Sequence, residues 1–308
     1  SMLKRSGIDV SGKKVLVLGS GGASNTAVKV LEDLQAQVVI ISRSGPDNYT
    51  NLHRHYDASV IVNTTPVGMY PHTGTAPLNL RDFPCLEGVL DMIYNPARTQ
   101  LLLDAEALGL PYENGLWMLV AQAKEAAEYF GGKSLDDSII ETAFNALSAQ
   151  MQNIVLIGMP GCGKSTIGVL LSEKTGRKFT DADKLVEALA GKSIPDIFAQ
   201  DGEDAFRQWE TRVLEELGKQ SCLIISTGGG CITRERNYPL LHQNSRIIWL
   251  KRDLNLLPTD GRPLSQSNTL EALYGARKPL YEAFADIILE NHTSPEETVR
   301  RILEELEA

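Results

Sequence analysis

Residues 153–166 read NIVLIGMPGCGKST, and this stretch decides the fold of the half of the chain that contains it. The apolar run Ile154 to Ile157 predicts a buried strand, and Gly158, Gly163, Lys164 and Ser165 fill the four fixed positions of G-x-x-x-x-G-K-S/T. That pattern needs a strand before it and a helix after it, and the flanking sequence supplies both. Its glycines let successive backbone N–H groups turn inward around an anion, and the N-terminus of the following helix adds partial positive charge. Lys164 is placed to reach terminal phosphates and the Ser165 hydroxyl to take a position on Mg²⁺. Gly161, Cys162 and Thr166 complete the loop.

The totals set the frame. At 308 residues the chain is long enough for two domains, each with its own core. The expected division is 1–150 and 151–308, joined through an amphipathic run from Ile139 to Met151 with no Gly/Ser-rich or Pro-rich linker. A hydrophobic content of 43% is that of a soluble globular protein, and no apolar run reaches membrane-spanning length. No secretory signal is visible. The net charge of −9 argues against a general nucleic-acid surface. Cys85, Cys162, Cys222 and Cys231 lack C-x-x-C spacing, so neither a zinc site nor a disulfide framework is expected, and a reducing cytoplasm is the default. His53 and His55 find no third ligand in the sequence. Ser1 before Met2 has the look of a residue left by tag cleavage.

In the first half, the strand Lys14 to Leu18 runs directly into Gly19-Ser20-Gly21-Gly22-Ala23-Ser24, and a helical pattern and a second strand from Gln37 to Ser42 follow. This is a dinucleotide-binding βαβ unit in which Ser24 replaces the third glycine of G-x-G-x-x-G. The second strand ends in Ser42-Arg43-Ser44, where a site for NAD wants an acidic residue. A guanidinium flanked by hydroxyls suits a 2′-phosphate instead, so NADP is the expected dinucleotide. Three further segments, VNTTPVGM at 62–69, DMIYNP at 91–96 and GLWMLVAQA at 115–123, join GSGGAS in a pattern that resembles the NADP-binding domain of shikimate dehydrogenase. The resemblance covers about residues 3–150. It implies that Met92 and Gly115 lie near the nicotinamide and that Tyr94 and Gln122 face the substrate. In that family the catalytic Lys and Asp belong to a separate N-terminal domain, whereas here about a dozen residues precede the first strand. The expectation is a half that binds NADP without oxidising shikimate, with an N-terminal dehydrogenase domain, missing here, as its completing partner in the natural chain.

In the second half, Asp181-Ala182-Asp183 follows the phosphate loop and its helix, and two carboxylates at a strand end point to the same side. Asp181 can serve Mg²⁺ through water and Asp183 can accept the proton of an attacking hydroxyl. The alternative is a helix cap. Arg207 and Glu210 share a helix face and can pair, which at that spacing is usually a surface ion pair. The strand Leu223 to Ser226 ends in Thr227-Gly228-Gly229-Gly230, without a closing aspartate, so Ser226 is left to reach the metal through water. In register, G-x-x-G-x-G-K-S-T, F-x-D-x-D, I-x-x-I-F-x-x-x-G-E-x-x-F-R-x-x-E, S-T-G-G-G, GRPL at 261–264 and RKPLY at 277–281 closely resemble shikimate kinase over residues 152–306. The resemblance implies transfer of a phosphoryl group from ATP to the 3-hydroxyl of shikimate, with Mg²⁺, in chorismate biosynthesis. It makes Asp183 the base, Lys164 and Arg262 the groups on the ATP phosphates, and Arg207 and Arg277 the clamp on the substrate carboxylate. Gly228, Gly229 and Gly230 meet the ring hydroxyls, Phe198 and Phe206 wall the pocket, and Glu210 joins Arg207. Residues 251–261 look short for the family lid, and no adenine-stacking arginine is placed. A kinase for another small hydroxy acid, such as gluconate, is the alternative. The fold class is α/β throughout: a Rossmann-like domain, then a parallel-sheet P-loop domain of the nucleoside-monophosphate-kinase type.

Overall fold

The computed structural model describes residues 2–257 and 270–307. The chain divides into two compact units, Ser1–Ser148 and Ala149–Ala308.

The first unit orders α1 (Met2–Ser6), β1 (Lys14–Leu18), α2 (Gly22–Asp33), β2 (Gln37–Ile41), β3 (Val60–Asn63), β4 (Gly88–Asp91), α3 (Gln100–Ala107), β5 (Tyr112–Glu113) and α4 (Leu116–Gly131). Helix α5 (Ser138–Met151) carries the division between the units. The five strands form one parallel sheet in the order β2-β1-β3-β4-β5, with Val15 paired to Val38 on one side and Val60 on the other. Strands buried on both faces read as unbroken apolar runs. Accordingly, Leu16, Leu18 and Ile61 pack into one core and Val15, Val17 and Val62 into a second, as successive side chains point to opposite faces.

The second unit orders β6 (Asn153–Ile157), α6 (Lys164–Thr175), β7 (Lys178–Asp181), α7 (Ala182–Ala190), α8 (Ile194–Gln200), α9 (Gly202–Gly218), β8 (Leu223–Ser226), α10 (Asn237–His242), β9 (Ser245–Lys251), α11 (Leu270–Phe284), β10 (Ile287–Glu290) and α12 (Pro295–Glu307). Its parallel sheet has the order β10-β9-β6-β8-β7. The quoted strand is thus central, and every residue of β6 is buried. Helix ends follow local chemistry. Gly176 and Gly191 close α6 and α7 in the left-handed region at φ 70° and 66°, where a Cβ would be strained. Ser193 caps α8, accepting from Asp196 N, with Pro195 in the first turn where its missing N–H costs nothing. These short connections bring the carboxyl ends of β6, β7 and β8 to one rim, where ligands bind in open parallel sheets. No helix among the described residues is long and apolar enough to cross a membrane.

Candidate active site

That rim holds a cavity of about 610 Å³. On one side it is lined by Gly161, Gly163, Lys164, Ser165 and Thr166, and on the other by Asp181, Asp183, Arg207, Glu210, Ser226, Gly228 to Gly230 and Arg277, with Phe198 and Phe206 along the wall. Gly158 and Cys162 lie behind the loop. A Cβ at Gly158 (φ 143°) would stand 2.6 Å from the Leu250 carbonyl oxygen, and Cys162 is fully buried. The Cys162 side chain packs into the core. Cys231 is buried as well, and burial pushes its thiol up to about 12, so it is inert.

Lys164, 8% exposed, donates its ammonium to the carbonyls of Gly158 at 2.9 Å and Met159 at 3.1 Å. Ser165 Oγ donates to Asp181 Oδ2 at 2.9 Å and lies 3.4 Å from Ser226 Oγ. This oxygen-only group suits Mg²⁺, which keeps several waters and takes one or two protein ligands beside phosphate. Among the described residues no cluster of three His, Cys, Asp or Glu side chains offers a different metal site.

The two aspartates do not share a strand end, as the sequence reading had it. Asp181 closes β7 and caps α7, accepting from Asp183 N at 3.1 Å and Lys184 N at 3.4 Å, while Asp183 sits in the first turn of that helix. Asp181 is thus a helix cap that also lines the cavity, and the turn sets Asp183 Oδ1 against Gly228. Burial first, then the neighbouring charge of Asp181, raise Asp183 above the usual carboxylate range, against the pull of Lys164 and Arg207.

Arg207 and Glu210 are not a surface pair either, being 4% and 1% exposed. Arg207 Nη1 donates to Glu210 Oε2 at 2.8 Å and Nη2 to Glu203 Oε1 at 3.1 Å. Its guanidinium lies 5.1 Å from the centroid of the Phe206 ring, which in turn packs against Phe198 at 4.9 Å. Burial outweighs Arg207 and raises Glu210. Asp183 Oδ1 and Glu210 Oε1 are both buried and lack a hydrogen-bond partner. Such orphaned acceptors are costly in a core and mark places where a ligand donates. The triple glycine is a packing requirement of the same residues. A Cβ at Gly228 would lie 2.7 Å from both orphaned oxygens, one at Gly229 2.7 Å from the Pro160 ring, and one at Gly230 2.2 Å from Arg207 Nη2.

Three contributors escaped the sequence reading. Tyr281, one turn beyond Arg277 on α11, donates its hydroxyl to the Gly229 carbonyl, and its i, i+4 spacing from Arg277 was the available signal. Glu203 holds the second side of Arg207. Asn291 donates to the Cys162 carbonyl across 129 residues, and no local pattern announces it. Arg262 lies outside the described residues, as do Leu264 and the rest of 258–269.

The first unit brings together part of its expected set. Ser24 is buried and donates to the Gly19 carbonyl at 2.8 Å, bracing the loop that a third glycine would otherwise leave bare. A Cβ at Gly19 (φ 113°) would meet Thr64 Oγ1 at 2.7 Å, whereas Gly21 and Gly22 face open space. Helix α2 starts at Gly22 with no side-chain cap, so its first amides are open to an anion, and Ala23 belongs to that turn. Ser42, Arg43 and Ser44 follow β2, with Arg43 and Ser44 exposed. A cavity of about 410 Å³ follows β3 and β4, lined by Thr64, Thr65, Met92 and Tyr94 among others. Gly115 packs on Met92, since a Cβ there would lie 2.0 Å from the Met92 carbonyl oxygen. Gln122 is exposed on α4 and is not brought to that cavity.

A phosphate loop closing the central strand of a parallel sheet, with a buried carboxylate and two arginines across the cavity, defines a P-loop phosphotransferase. The family described as shikimate kinase matches residues 160–307. A shikimate kinase of Synechococcus elongatus is 42% identical over 173 residues, spanning 53% of this chain and 88% of that protein. The chain belongs to the shikimate kinase family. Among solved structures, shikimate kinase from Acinetobacter baumannii in complex with shikimate is 33% identical over 53% of this chain and 96% of that one, with a TM-score of 0.49. Shikimate dehydrogenase 1 from Peptoclostridium difficile is 33% identical over 47% of this chain and 58% of that one, with a TM-score of 0.45.

Proposed function

We propose that the second unit transfers the γ-phosphoryl group of ATP to the 3-hydroxyl of shikimate. The observation that carries this reading is the single cavity in which the phosphate loop faces Asp183, Arg207 and Arg277. Arginine offers a carboxylate a planar two-point fork, and two buried arginines in one pocket select an acidic substrate. The ring hydroxyls lie against the glycine floor, where donors are wanted by Asp183 Oδ1 and Glu210 Oε1. Asp183 takes the hydroxyl proton as the substrate oxygen bonds to the γ-phosphorus and the bond to the ADP oxygen breaks. Lys164 exchanges its two loop carbonyls for phosphate oxygens. Ser165, Asp181 and Ser226 would hold Mg²⁺, which when bound offsets the phosphate charge. Arg262 is proposed to close on the phosphates and exclude water. ADP release dependent on shikimate, measured with the purified chain, tests this. Equal turnover of gluconate, or none of shikimate, would overturn the choice of substrate.

For the first unit we propose NADP binding by a shikimate-dehydrogenase-like domain: pyrophosphate at the open amides of α2, the 2′-phosphate at Arg43, and the nicotinamide toward Met92 and Gly115. The residues lining its cavity include no carboxylate, imidazole or ammonium to take a hydroxyl proton. Binding without shikimate oxidation is therefore the reading for this unit by itself. Quenching of protein fluorescence by NADPH tests the first part, and NADPH production from shikimate by the purified chain would overturn the second.

A further inference from the structure

We infer that Asn291 is a positioning residue for phosphate binding, acting through the peptide bond between Cys162 and Gly163. This rests on reading the loop as the site of the nucleotide phosphates. The side chain follows β10 and is 6% exposed. Its Nδ2 donates to the Cys162 carbonyl at 2.6 Å, and its Oδ1 accepts from Thr298 Oγ1 at 2.8 Å. Its backbone N–H donates to the Lys251 carbonyl at 2.7 Å, so main chain and side chain are both fixed. Thr298, on α12, is itself 1% exposed.

The consequence follows from the geometry of a trans peptide, in which the C=O and the next N–H point in opposite directions. Holding the Cys162 carbonyl back against Asn291 turns the Gly163 N–H the other way, toward the cavity that Gly163 lines. Gly163 has φ 101°, a conformation in which the flanking peptides reorient readily in the absence of such a hold. A Cβ there would stand 3.0 Å from Asn291 Nδ2, which shows how closely the amide is seated behind the loop. The Cys162 carbonyl can only accept, so it requires the Nδ2 end of the amide, and the Thr298 hydroxyl, donating to Oδ1, anchors the other end. Lys164 also restrains loop carbonyls, but it is the group expected to leave them for phosphate. Asn291 is the restraint that stays, so the N–H array is formed before nucleotide arrives and its ordering is not charged against binding.

The test is binding of ADP and of inorganic pyrophosphate to the full chain by calorimetry, with steady-state kinetics beside it. Asn291→Ala is expected to weaken both ligands by about tenfold, the scale of one orphaned buried carbonyl and one misdirected donor. KM for shikimate stays within twofold. Asn291→Asp keeps the bond from Thr298 but sets an anion against the Cys162 carbonyl, and should weaken both ligands further, by about a hundredfold. Thr298→Val keeps shape and loses only the hydroxyl that anchors Oδ1. It should give a smaller loss in the same sense and add nothing on top of Asn291→Ala, and it serves if the Asn291 variants fail to fold. Affinities within twofold of the parent in folded Asn291→Asp would overturn the inference. So would a loss confined to ADP with pyrophosphate unaffected, which would place Asn291 against the nucleoside. Absence of any phosphate binding in the parent would instead refute the reading of the loop itself.

Discussion

Gly228→Ala is the sharpest probe of the second unit's chemistry, because its effect can be worked from two distances. The backbone at Gly228 is outside the left-handed region, so alanine is not excluded by conformation. The obstacle is that the new methyl would stand 2.7 Å from Asp183 Oδ1 and 2.7 Å from Glu210 Oε1. Ordinary contact starts at 3.4 Å, so each carboxylate must retreat by about 0.7 Å from a position in which its facing oxygen is buried. Overpacking of this kind costs about 1–3 kcal/mol of stability, a fall of a few degrees in Tm. The catalytic effect should be larger, since misplacement by about 1 Å costs about a hundredfold in rate. The methyl also occupies the space from which a substrate hydroxyl would donate to the two orphaned oxygens. We therefore expect kcat for shikimate-dependent ADP release to fall about thirty- to a hundredfold and KM for shikimate to rise, with KM for ATP unchanged. Gly275→Ala, on α11 with nothing within 4 Å of its Cβ, is the matched control and should be silent. A folded Gly228→Ala enzyme with kcat within threefold of the parent would refute the placement of the reacting hydroxyl between Asp183 and Glu210.

Lys164→Ala and Asp183→Asn should each lower turnover by about a hundredfold or more, the scale of removing charge stabilisation or a general base; turnover retained in either would show its role is misassigned. Because burial and Asp181 raise Asp183, and the base must be ionised, kcat/KM for shikimate should fall on the acid side with a midpoint above the usual carboxylate range, and this limb should vanish in the residual activity of Asp183→Asn. In the first unit, burial lifts the Asp91 carboxyl from 3.8 to about 6, against hydrogen bonds from Thr99, Ile93 and Asn63. The protonated form is the one the fold favours, so this contribution is full below 3.8 and is lost as pH rises through about 6, a change of about 3 kcal/mol. A carboxyl-carbon NMR titration of Asp91 should show that midpoint, and one below 4.5 would contradict it. Arg43→Ala should weaken NADPH by about tenfold and leave NADH unchanged, and equal losses would place Arg43 away from the 2′-phosphate.

Much was legible where function depends on backbone conformation over a few residues. Residues 153–166 specified strand, loop and helix together, because a buried parallel strand must be apolar throughout and a loop of inward N–H groups must be glycine-rich. The same held for Lys14 to Ser24, where the Ser24 hydroxyl donates to the Gly19 carbonyl and closes the loop that it interrupts. The residue types across the kinase cavity were legible too, but their states were not. Spacing alone made Arg207 and Glu210 a surface pair and put Asp181 and Asp183 on one strand end. Burial of α9 made the first an internal clamp, and the start of α7 between the two aspartates gave the second its division of labour.

What the sequence by itself determined, then, is the pair of phosphate-type loops and the chemistry class of the second unit, since both rest on local backbone requirements and on residue types. Only the tertiary structure decided which side chains meet. Arg207 and Arg277 share one cavity although 70 positions apart, Gly228 is glycine because Asp183 and Glu210 press on it, and Asn291 reaches the quoted loop across 129 residues. Such contacts are set by strand order and helix packing, which bring distant segments within hydrogen-bond reach and leave no periodic trace in the segments themselves.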